Sequence, residues 1–493
     1  MAEDLKNIFE LLKKRIEDEF CCQKQNENFI WIGTKDGLIG DLTCHYEFIY
    51  RYKRIYTGVH IENPKELFLF NKLTNLFKEN KLSQLHKNNH CHYYLEEGIQ
   101  INDEHLVEKA YEQLVKLDEK VGEEIKRIRK MNDNKALIEA FDLLTNSHNI
   151  ILHGAPGTGK TYLAKQIAYA MGAETEFVQF HPSYDYTDFV EGLRPVNKEG
   201  SKEIGFERRD GIFKKFCIKA LKNLIDSQKK GSVENQETKK KNFVFIIDEI
   251  NRGELSKIFG ELFFSIDPGY RVYFEALPKQ PQKNGNKEKD DSEQKNNNNQ
   301  DNQNQNKKEI ITIKTQYSNM QQKPNEFDKA LGVSEDNFNQ DDCGHFFVPE
   351  NVYIIGTMND IDRNVESMDF AFRRRFAFKE IKATDTQETI LANQPNKDEL
   401  IKRMNNLNNA ISGTEGLSAA YHIGASYFLK YNKNSQTAFE DLWNYHLEPL
   451  LQEYLRGMED ETGKLNILKA AYKLEKTYNE KGEEVKDNPA PQA

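Results

Sequence analysis

Residues 154–161, with the sequence GAPGTGKT, constrain the possible folds of this chain more than any other segment. They fit the pattern GxxxxGK[ST], in which glycines let backbone N–H groups curl around phosphate oxygens. An apolar run, NIILH, precedes the segment, and a helical pattern, TYLAKQIAYAMGA, follows its lysine. Because this motif requires a strand before it and a helix after it, the sequence predicts a nucleotide phosphate site on an α/β sheet.

Each part of this loop has an expected role. Lys160 is expected to reach the β- and γ-phosphates, and the Thr161 hydroxyl to ligate Mg²⁺. The following helix points its positive end at the phosphates. A chance glycine-rich turn is the alternative, and the flanking strand and helix argue against it. The candidate nucleotide-binding residues are Gly154, Ala155, Pro156, Gly157, Thr158, Gly159, Lys160, Thr161 and Tyr162.

Two carboxylates, Asp248 and Glu249, directly follow the apolar run FVFII. Asp248 is predicted to hold Mg²⁺ together with Thr161, as in P-loop NTPases generally. Glu249 is placed to orient or deprotonate the attacking water. The alternative is an ordinary strand followed by surface acids, and the phosphate loop upstream disfavours it.

A third apolar run, VYIIGTM, ends at Asn359. Ligands collect at the carboxyl ends of the strands in open α/β sheets, so Asn359 is a candidate to hydrogen-bond the γ-phosphate or the lytic water. A turn or capping asparagine is the alternative.

Three arginines, Arg373, Arg374 and Arg375, stand between aromatic residues in FAFRRRF. A guanidinium supplied across a subunit boundary stabilises charge on a transferring phosphoryl group, which makes all three candidates for catalysis in trans. The alternative is a solvated basic helix end.

Apolar runs alternate with helical patterns around these motifs, which predicts a buried parallel sheet. The predicted fold class is an α/β P-loop domain with a C-terminal helical lid, preceded by a small α+β N-terminal domain. The predicted boundaries are 1–105 for the N-terminal domain, 106–146 for a helical linker, 147–380 for the NTPase core, 381–480 for the lid and 481–493 for a disordered tail.

Residues 279–345 interrupt the predicted core. The run KNGNKEKDDSEQKNNNNQDNQNQNKKE within them is of low complexity and cannot bury a core, so a disordered surface insertion is predicted. Because loop-closure entropy grows slowly with length, deletion of about residues 283–340 is expected to leave the motor folded and active.

Composition narrows the setting. No apolar stretch of about 18 residues is present and the first residues contain no signal-peptide core, so no membrane partner is expected. The six cysteines are scattered, which is typical of a reducing cytoplasm. The net charge of −10 argues against a surface that binds nucleic acid everywhere, although a local basic groove or pore stays open.

As a set, these motifs resemble the McrB-type AAA+ NTPases, the motor subunits of modification-dependent restriction systems. The resemblance covers about residues 145–460. Asp360, Ile361 and Asn364 depart from the family pattern, but no departure affects the lysine or the two carboxylates. The further matching segments are FHPSYDYTDFVEGLRP (180–195), DEINRGELSKIFGELF (248–263), MNDIDRN (358–364), SMDFAFRRRF (367–376), YHIGASYF (421–428) and LEPLLQEYLRG (447–457).

The resemblance implies further roles and partners. Asp362 and Arg363 would sense the γ-phosphate and position water together with Asn359, and one or more of the three arginines would act in trans. The substrate would be GTP, which the family prefers, or ATP, with Mg²⁺. The chain would form a homo-oligomer, a hexameric ring, and drive DNA translocation and cleavage with a McrC-like nuclease subunit. This chain itself shows no nuclease constellation of paired carboxylates with a lysine.

Two other function classes remain open at this point. One is an AAA+ protein-remodelling ATPase whose N-terminal domain binds protein. The other is a nucleotide-switched binding module that hydrolyses slowly and gates assembly. Stimulation of hydrolysis by DNA with a partner, as opposed to unfolded protein, separates the motor from the remodelling enzyme.

The N-terminal domain is a candidate reader of DNA or another target. In YEFIYRYKR (46–54), aromatic residues alternate along one predicted strand face, with Arg51 and Lys53 on the other, and such groups can stack on bases and meet phosphates. A half-buried strand with a solvated charged face is the favoured alternative. Cys91 has histidines nearby, at positions 86, 90 and 92, but their spacing fits no zinc pattern, so the sequence assigns no metal site there.

Overall fold

In a computed structural model, the chain divides into two compact units, Met1–Ile138 and Glu139–Ala493. Among the described residues, no helix has the length and apolarity needed to cross a bilayer. The structure describes residues 2–17, 20, 22–25, 29–32, 44–62, 70–87, 90–95, 97–132, 134–197, 204–227, 240–278, 310–361 and 370–485.

The first unit is an antiparallel sheet with helices packed on one face. The strand order is β1-β2-β3-β4-β6-β5, and β7 pairs with β4. The strands are β1 (Cys22–Gln25), β2 (Phe29–Ile32), β3 (Cys44–Arg51), β4 (Arg54–Glu62), β5 (Leu82–Lys87), β6 (His90–Leu95) and β7 (Ile99–Gln100). The helices are α1 (Ala2–Ile16), α2 (Phe70–Glu79) and α3 (Leu106–Asn132), and α4 (Lys135–Ser147) follows.

Helix α3 belongs to the core of the first unit. Its apolar residues recur every three or four positions, and Leu114, Leu117 and Val121 are buried in one cluster with Phe48 and Val59 of the sheet. The predicted boundaries are therefore wrong here, because the helix expected to link two domains from residue 106 onward is a structural part of the first one. The periodicity identified the helix, but it could not identify the surface that the helix covers.

The aromatic face of β3 is also core. Tyr46 and Phe48 are buried, and the Tyr46 hydroxyl donates to Asp118 on α3 at 2.8 Å. The strand ends at Arg51, since Tyr52 and Lys53 have φ of 51° and 58° and form a two-residue turn into β4. The half-buried strand, the favoured alternative, is thus the correct reading, because Tyr46 and Phe48 of the candidate base-stacking face are buried in the core.

The second unit is built on a five-stranded sheet of order β16-β8-β15-β12-β9, in which every pair is parallel. Its central strands are almost wholly buried, as expected where helices cover both faces. The predicted parallel sheet is therefore confirmed. The strands of the unit are β8 (Asn149–Gly154), β9 (Glu174–Gln179), β10 (Glu191–Asn197), β11 (Ile204–Asp210), β12 (Phe243–Asp248), β13 (Ile313–Lys314), β14 (His345–Phe346), β15 (Val352–Asn359), β16 (Ala377–Glu380), β17 (Thr477–Tyr478) and β18 (Glu484–Val485).

Helices flank this sheet and then form the predicted lid. The lid has an apolar core of its own, which includes Leu407, Trp443 and Leu468, and its helical character is confirmed. A π-helical turn, Trp443–Leu447, joins α15 to α16. The helices are α5 (Lys160–Ala170), α6 (Tyr186–Phe189), α7 (Ile212–Asp226), α8 (Leu255–Phe259), α9 (Leu262–Ser265), α10 (Glu326–Ala330), α11 (Phe370–Arg373), α12 (Ala383–Ile390), α13 (Lys397–Gly413), α14 (Ala425–Phe428), α15 (Ala438–Leu442), α16 (Glu448–Leu455) and α17 (Glu461–Tyr472).

About half of the predicted disordered insertion, residues 279–345, is folded. Residues 279–309 lie outside the described residues, but residues 310–345 fold onto the core of the second unit. Phe327 is completely buried and packs edge-on against Phe346, within the cluster that contains Phe213. The prediction of disorder up to residue 345 is wrong because the asparagine-rich run dominates the average composition of a segment whose second half carries its own apolar anchors.

A buried carboxylate fixes this second half. Asp328 accepts hydrogen bonds from the Gln321 side chain, from the backbone N–H groups of Asn325 and Gly344, and from both the backbone and the ring of His345. Burial alone would raise the pKa of Asp328, but these donors outweigh it and hold that pKa at about 2. The ionised carboxylate thus ties residues 321–345 into one substructure.

Two deletions test this division of the insertion. Replacing residues 283–306 with a short Gly/Ser linker should leave the melting temperature nearly unchanged, since that run carries almost no apolar side chains. Replacing residues 283–340 removes Phe327 and Asp328 and should lower the melting temperature by roughly 10 °C or more. Equal melting temperatures for the two variants would show that residues 310–340 do not belong to the motor core.

Candidate nucleotide site

The phosphate loop connects the end of β8 to the start of α5 with two left-handed glycines. Gly157 and Gly159 have φ of 78° and 83°, a conformation that residues with a Cβ rarely adopt. A Cβ atom on Gly157 would also lie 2.7 Å from the side chains of Ser426 and Tyr427. The glycines of the motif therefore shape the loop and also leave room for the lid.

Lys160 lies inside the loop and is only 7% exposed. Its ammonium donates to the carbonyl oxygen of Ala155 at 2.7 Å and to that of Gly154 at 3.2 Å. The loop backbone thus holds the lysine charge where the motif places the phosphates.

Two hydroxyls converge on one oxygen of Asp248. Thr161 donates to Asp248 Oδ1 at 2.7 Å, and Thr357 donates to the same atom at 2.5 Å. Because β12 lies beside β15 in parallel, Asp248 and Thr357 meet at the carboxyl edge of the sheet. Hydroxyl and carboxylate oxygens are ligands that Mg²⁺ accepts, so Thr161 and Asp248 fit the predicted ion. Sequence reasoning missed Thr357, because a threonine in an apolar run resembles an ordinary strand residue.

Glu249 turns out of the strand and meets Asn359. Its φ of 50° is left-handed, which is uncommon for a residue with a side chain and costs backbone strain. Glu249 Oε1 accepts from the Asn359 amide at 2.8 Å, and Oε2 accepts from Arg252 Nε at 3.2 Å. The structure therefore brings the predicted base and the predicted sensor into direct contact and fixes both oxygens of the carboxylate.

Of the segment MNDIDRN (358–364), the structure describes residues 358–361. Asp362 and Arg363 lie outside the described residues. Asp360, one of the departures from the family pattern, pairs with His153 Nδ1 at 3.1 Å, and its backbone N–H donates to the Gly154 carbonyl at 3.2 Å. Asp360 thus ties the end of β15 to the start of the phosphate loop.

The three arginines fall into two classes. Arg375 is 6% exposed, its guanidinium donates to the Ala371 carbonyl, and its Cζ lies 4.7 Å from the centroid of the Phe263 ring. Arg375 is therefore part of the core, and its enclosed side chain argues against it among the three candidates for catalysis in trans. Arg373 and Arg374 are exposed, and Arg373 lies over the Phe378 ring at 5.2 Å.

The lid closes over the loop through main-chain contacts. The Gly424 N–H donates to the Pro156 carbonyl at 3.0 Å, and the Ser426 N–H donates to the Gly157 carbonyl at 3.1 Å. A Cβ atom on Gly424 would lie 2.1 Å from the carbonyl carbon of Gly157, so only glycine permits this approach. Burial raises the pKa of the nearby Tyr427 hydroxyl, which therefore stays a donor.

Core and lid together line an open cavity of about 470 Å³, a size suited to a small-molecule ligand. Most of the predicted site residues line it, and Ser426, Tyr427 and Lys430 are lid residues that sequence reasoning did not assign. None of the three arginines is among the lining residues. The lining residues are Pro156, Gly157, Gly159, Lys160, Thr161, Tyr162, Asp248, Glu249, Thr357, Met358, Asn359, Ser426, Tyr427 and Lys430.

Known proteins share this combination of core and lid. Residues 149–376 match the AAA domain of the dynein-related subfamily, and residues 399–463 match the McrB alpha-helical lid domain. The "Type IV methyl-directed restriction enzyme EcoKMcrB subunit" of Escherichia coli is 32% identical over 63% of this chain and 54% of its own length. The "Type II restriction enzyme BsuMI component YdiS" of Bacillus subtilis is 24% identical over 50% of this chain and 62% of its own length.

This chain therefore spans little more than half the length of the curated relatives that it matches. A solved structure, a putative ATPase from Cytophaga hutchinsonii, is 12% identical and covers 75% of this chain and 89% of its own, but its TM-score of 0.26 is too low to indicate a shared arrangement. The phosphate loop, the paired carboxylates, the parallel sheet and the helical lid lead to one conclusion: the chain is a P-loop NTPase of the AAA+ type with a McrB-type lid.

Proposed function

We propose that this chain is the motor subunit of a cytoplasmic restriction complex. It assembles into a homo-oligomeric, hexameric ring, hydrolyses GTP or ATP between subunits, and drives DNA through a McrC-like nuclease on another chain. The observation that carries the ring is the placement of the arginines, since Arg373 and Arg374 are exposed and neither lines the cavity of its own subunit. Both named relatives are restriction-enzyme components, which supports the proposed context.

The residues of the cavity divide the work of hydrolysis. Lys160 binds the β- and γ-phosphates, and Thr161 with Asp248 would hold Mg²⁺, which when bound neutralises charge on the phosphates. Glu249 accepts the proton of the attacking water, while Asn359 keeps the Glu249 carboxylate oriented through the 2.8 Å hydrogen bond.

We assign target recognition to the first unit, Met1–Ile138, because this unit lies outside both family matches. Because the aromatic face of β3 is buried, recognition has to use another part of that unit. A protein-remodelling ATPase, the competing function, would hydrolyse nucleotide in the same way, but its first unit would bind protein.

The Glu249→Gln variant should bind nucleotide and oligomerise but turn over about 10²–10⁴-fold more slowly, because it keeps the shape of the side chain and loses the base. Steady-state hydrolysis, nucleotide retention and size-exclusion chromatography measure these effects. Glu275→Gln makes the same chemical change at an exposed position of the motor and should turn over normally. Failure of Glu249→Gln to oligomerise with bound nucleotide would assign Glu249 a structural role.

Sharing of the site between subunits can be tested by mixing variants. Lys160→Ala lacks a usable cavity but still donates its arginines, whereas Arg374→Ala or Arg373→Ala keeps the cavity and lacks one donor. A trans-acting guanidinium contributes about 10³–10⁵ in rate, so Lys160→Ala and the variant that lacks the trans-acting arginine should each be nearly inactive, with the arginine variant still binding nucleotide. Mixed oligomers should recover part of the activity.

Arg375→Ala is the matched control for this experiment. It removes the same type of side chain from a buried position, so its expected effect is a lower melting temperature and not the loss of a donor in trans. Absence of recovery at every mixing ratio, with co-assembly verified by mass photometry, would exclude catalysis in trans by Arg373 and Arg374.

The proposed restriction role predicts which macromolecule stimulates turnover. Hydrolysis of GTP and of ATP should be measured alone, with duplex DNA, with DNA plus a McrC-like nuclease, and with an unfolded protein. The proposal expects the highest rate with DNA and nuclease together. Stimulation by unfolded protein with no response to DNA and nuclease would favour the remodelling enzyme.

A further inference from the structure

Three potential metal ligands meet on the sheet face of the first unit that points away from the helical core. Glu47 on β3, His60 on β4 and His92 on β6 come from three adjacent strands. Along β3, Glu47 alternates with the core residues Tyr46 and Phe48, so it points to the opposite face. His60 and His92 are a direct cross-strand pair, which places their rings side by side.

Gly58 on β4 leaves space between β3 and β6, the two strands on either side of β4. Gly58 on β4 is the register partner of both Glu47 and Tyr94. A Cβ atom at Gly58 would lie 2.4 Å from the Tyr93 carbonyl oxygen and 2.4 Å from the Tyr94 ring. Because Gly58 has no side chain, Glu47 can reach across β4 to the residues of β6.

The group is buried and closely packed. Glu47 is 1% exposed and His60 is 2% exposed. Glu47 Oε1 lies 2.6 Å from His92 Nδ1 and accepts from the Tyr94 hydroxyl at 2.7 Å. The rings of His60 and His92 stack with centroids 4.3 Å apart and planes 7° apart, and Trp31 packs on His60 at 5.3 Å.

The buried Glu47 carboxylate loses several kcal/mol of hydration, which its contacts with His92 and Tyr94 offset in part. A metal ion would offset this loss further, and the ligand atoms of Glu47, His60 and His92 all lie within 4.8 Å of one another. A tetrahedral zinc ion keeps its ligands roughly 3.3 Å apart. Because an imidazole nitrogen binds metal in the plane of its ring, one of the two stacked rings has to rotate out of the stack to reach the same ion as the other.

We propose that Glu47, His60 and His92 bind one divalent transition-metal ion, and zinc is the candidate because it accepts two imidazoles and one carboxylate as ligands. The ion replaces the proton between Glu47 and His92. Tyr94 holds the carboxylate in place from outside the ligand shell, in the way that groups around metal sites usually orient the ligands. Three protein donors leave one position of a four-coordinate zinc ion for water or another ligand.

Metal content tests this site directly. Untagged full-length protein should be purified without chelator, dialysed, and analysed for zinc by inductively coupled plasma mass spectrometry. We expect about one zinc ion per chain, and its loss in His60→Gln and in His92→Gln. His105→Gln changes an exposed histidine of the same unit and should retain the metal.

The absorption spectrum of bound Co²⁺ reports the type of ligand atom, and this measurement on the wild-type protein does not depend on how well a histidine variant folds. Adding Co²⁺ to chelator-treated wild-type protein should give visible d–d bands without a thiolate charge-transfer band, since the proposed ligands are nitrogen and oxygen only. Zinc should displace this signal and raise the melting temperature. A wild-type protein that contains no zinc, gives no cobalt bands and melts at the same temperature with and without zinc would overturn the proposal and leave a proton-bridged Glu47–His92 pair.

Discussion

The carboxylate of Asp248 is the point on which the nucleotide site depends. It stands at the end of the strand flanked by β9 and β15, and it accepts hydrogen bonds from Thr161 of the phosphate loop and Thr357 of β15. The second residue of the loop helix, Thr161, and Thr357 of β15 are thereby held at fixed distances from one oxygen atom. This requires β12 and β15 to be adjacent and parallel, so the sheet order is what assembles the site.

A second constraint acts on the opposite side of the cavity. The lid approaches the phosphate loop so closely that backbone bonds to backbone, through Gly424 and Ser426 against Pro156 and Gly157. Such contacts are sensitive to small displacements of the loop, because neither partner has a flexible side chain that could absorb them. A change in the loop on nucleotide binding can therefore reach the lid mechanically, which is the coupling that the proposed motor function needs.

Chemically similar residues in this chain serve different purposes according to their surroundings. Arg373 and Arg374 face solvent, whereas Arg375, the next residue, is enclosed beside Phe263 and stabilises the core. Asp248 works at the cavity, whereas Asp328 accepts five hydrogen bonds and holds together a segment that composition alone suggested was unfolded. In the first unit, Tyr46 and Glu47 are neighbours in sequence, yet one packs in the apolar core and the other in a polar cluster.

Local sequence patterns were enough to predict the phosphate loop between a strand and a helix, and the helical lid. They were also enough to predict the apolar runs that end in Asp248, Glu249 and Asn359. These follow from short-range spacing, since glycine positions and strand ends are readable within about ten residues. Tertiary structure alone decided which distant residues meet. It brought Thr357 to Asp248, enclosed Arg375, packed residues 310–345 onto the core and α3 onto the first sheet, and gathered Glu47, His60 and His92 from three strands. The physical reason is that side-chain neighbours across a sheet are set by register and burial, which no local pattern in the chain specifies.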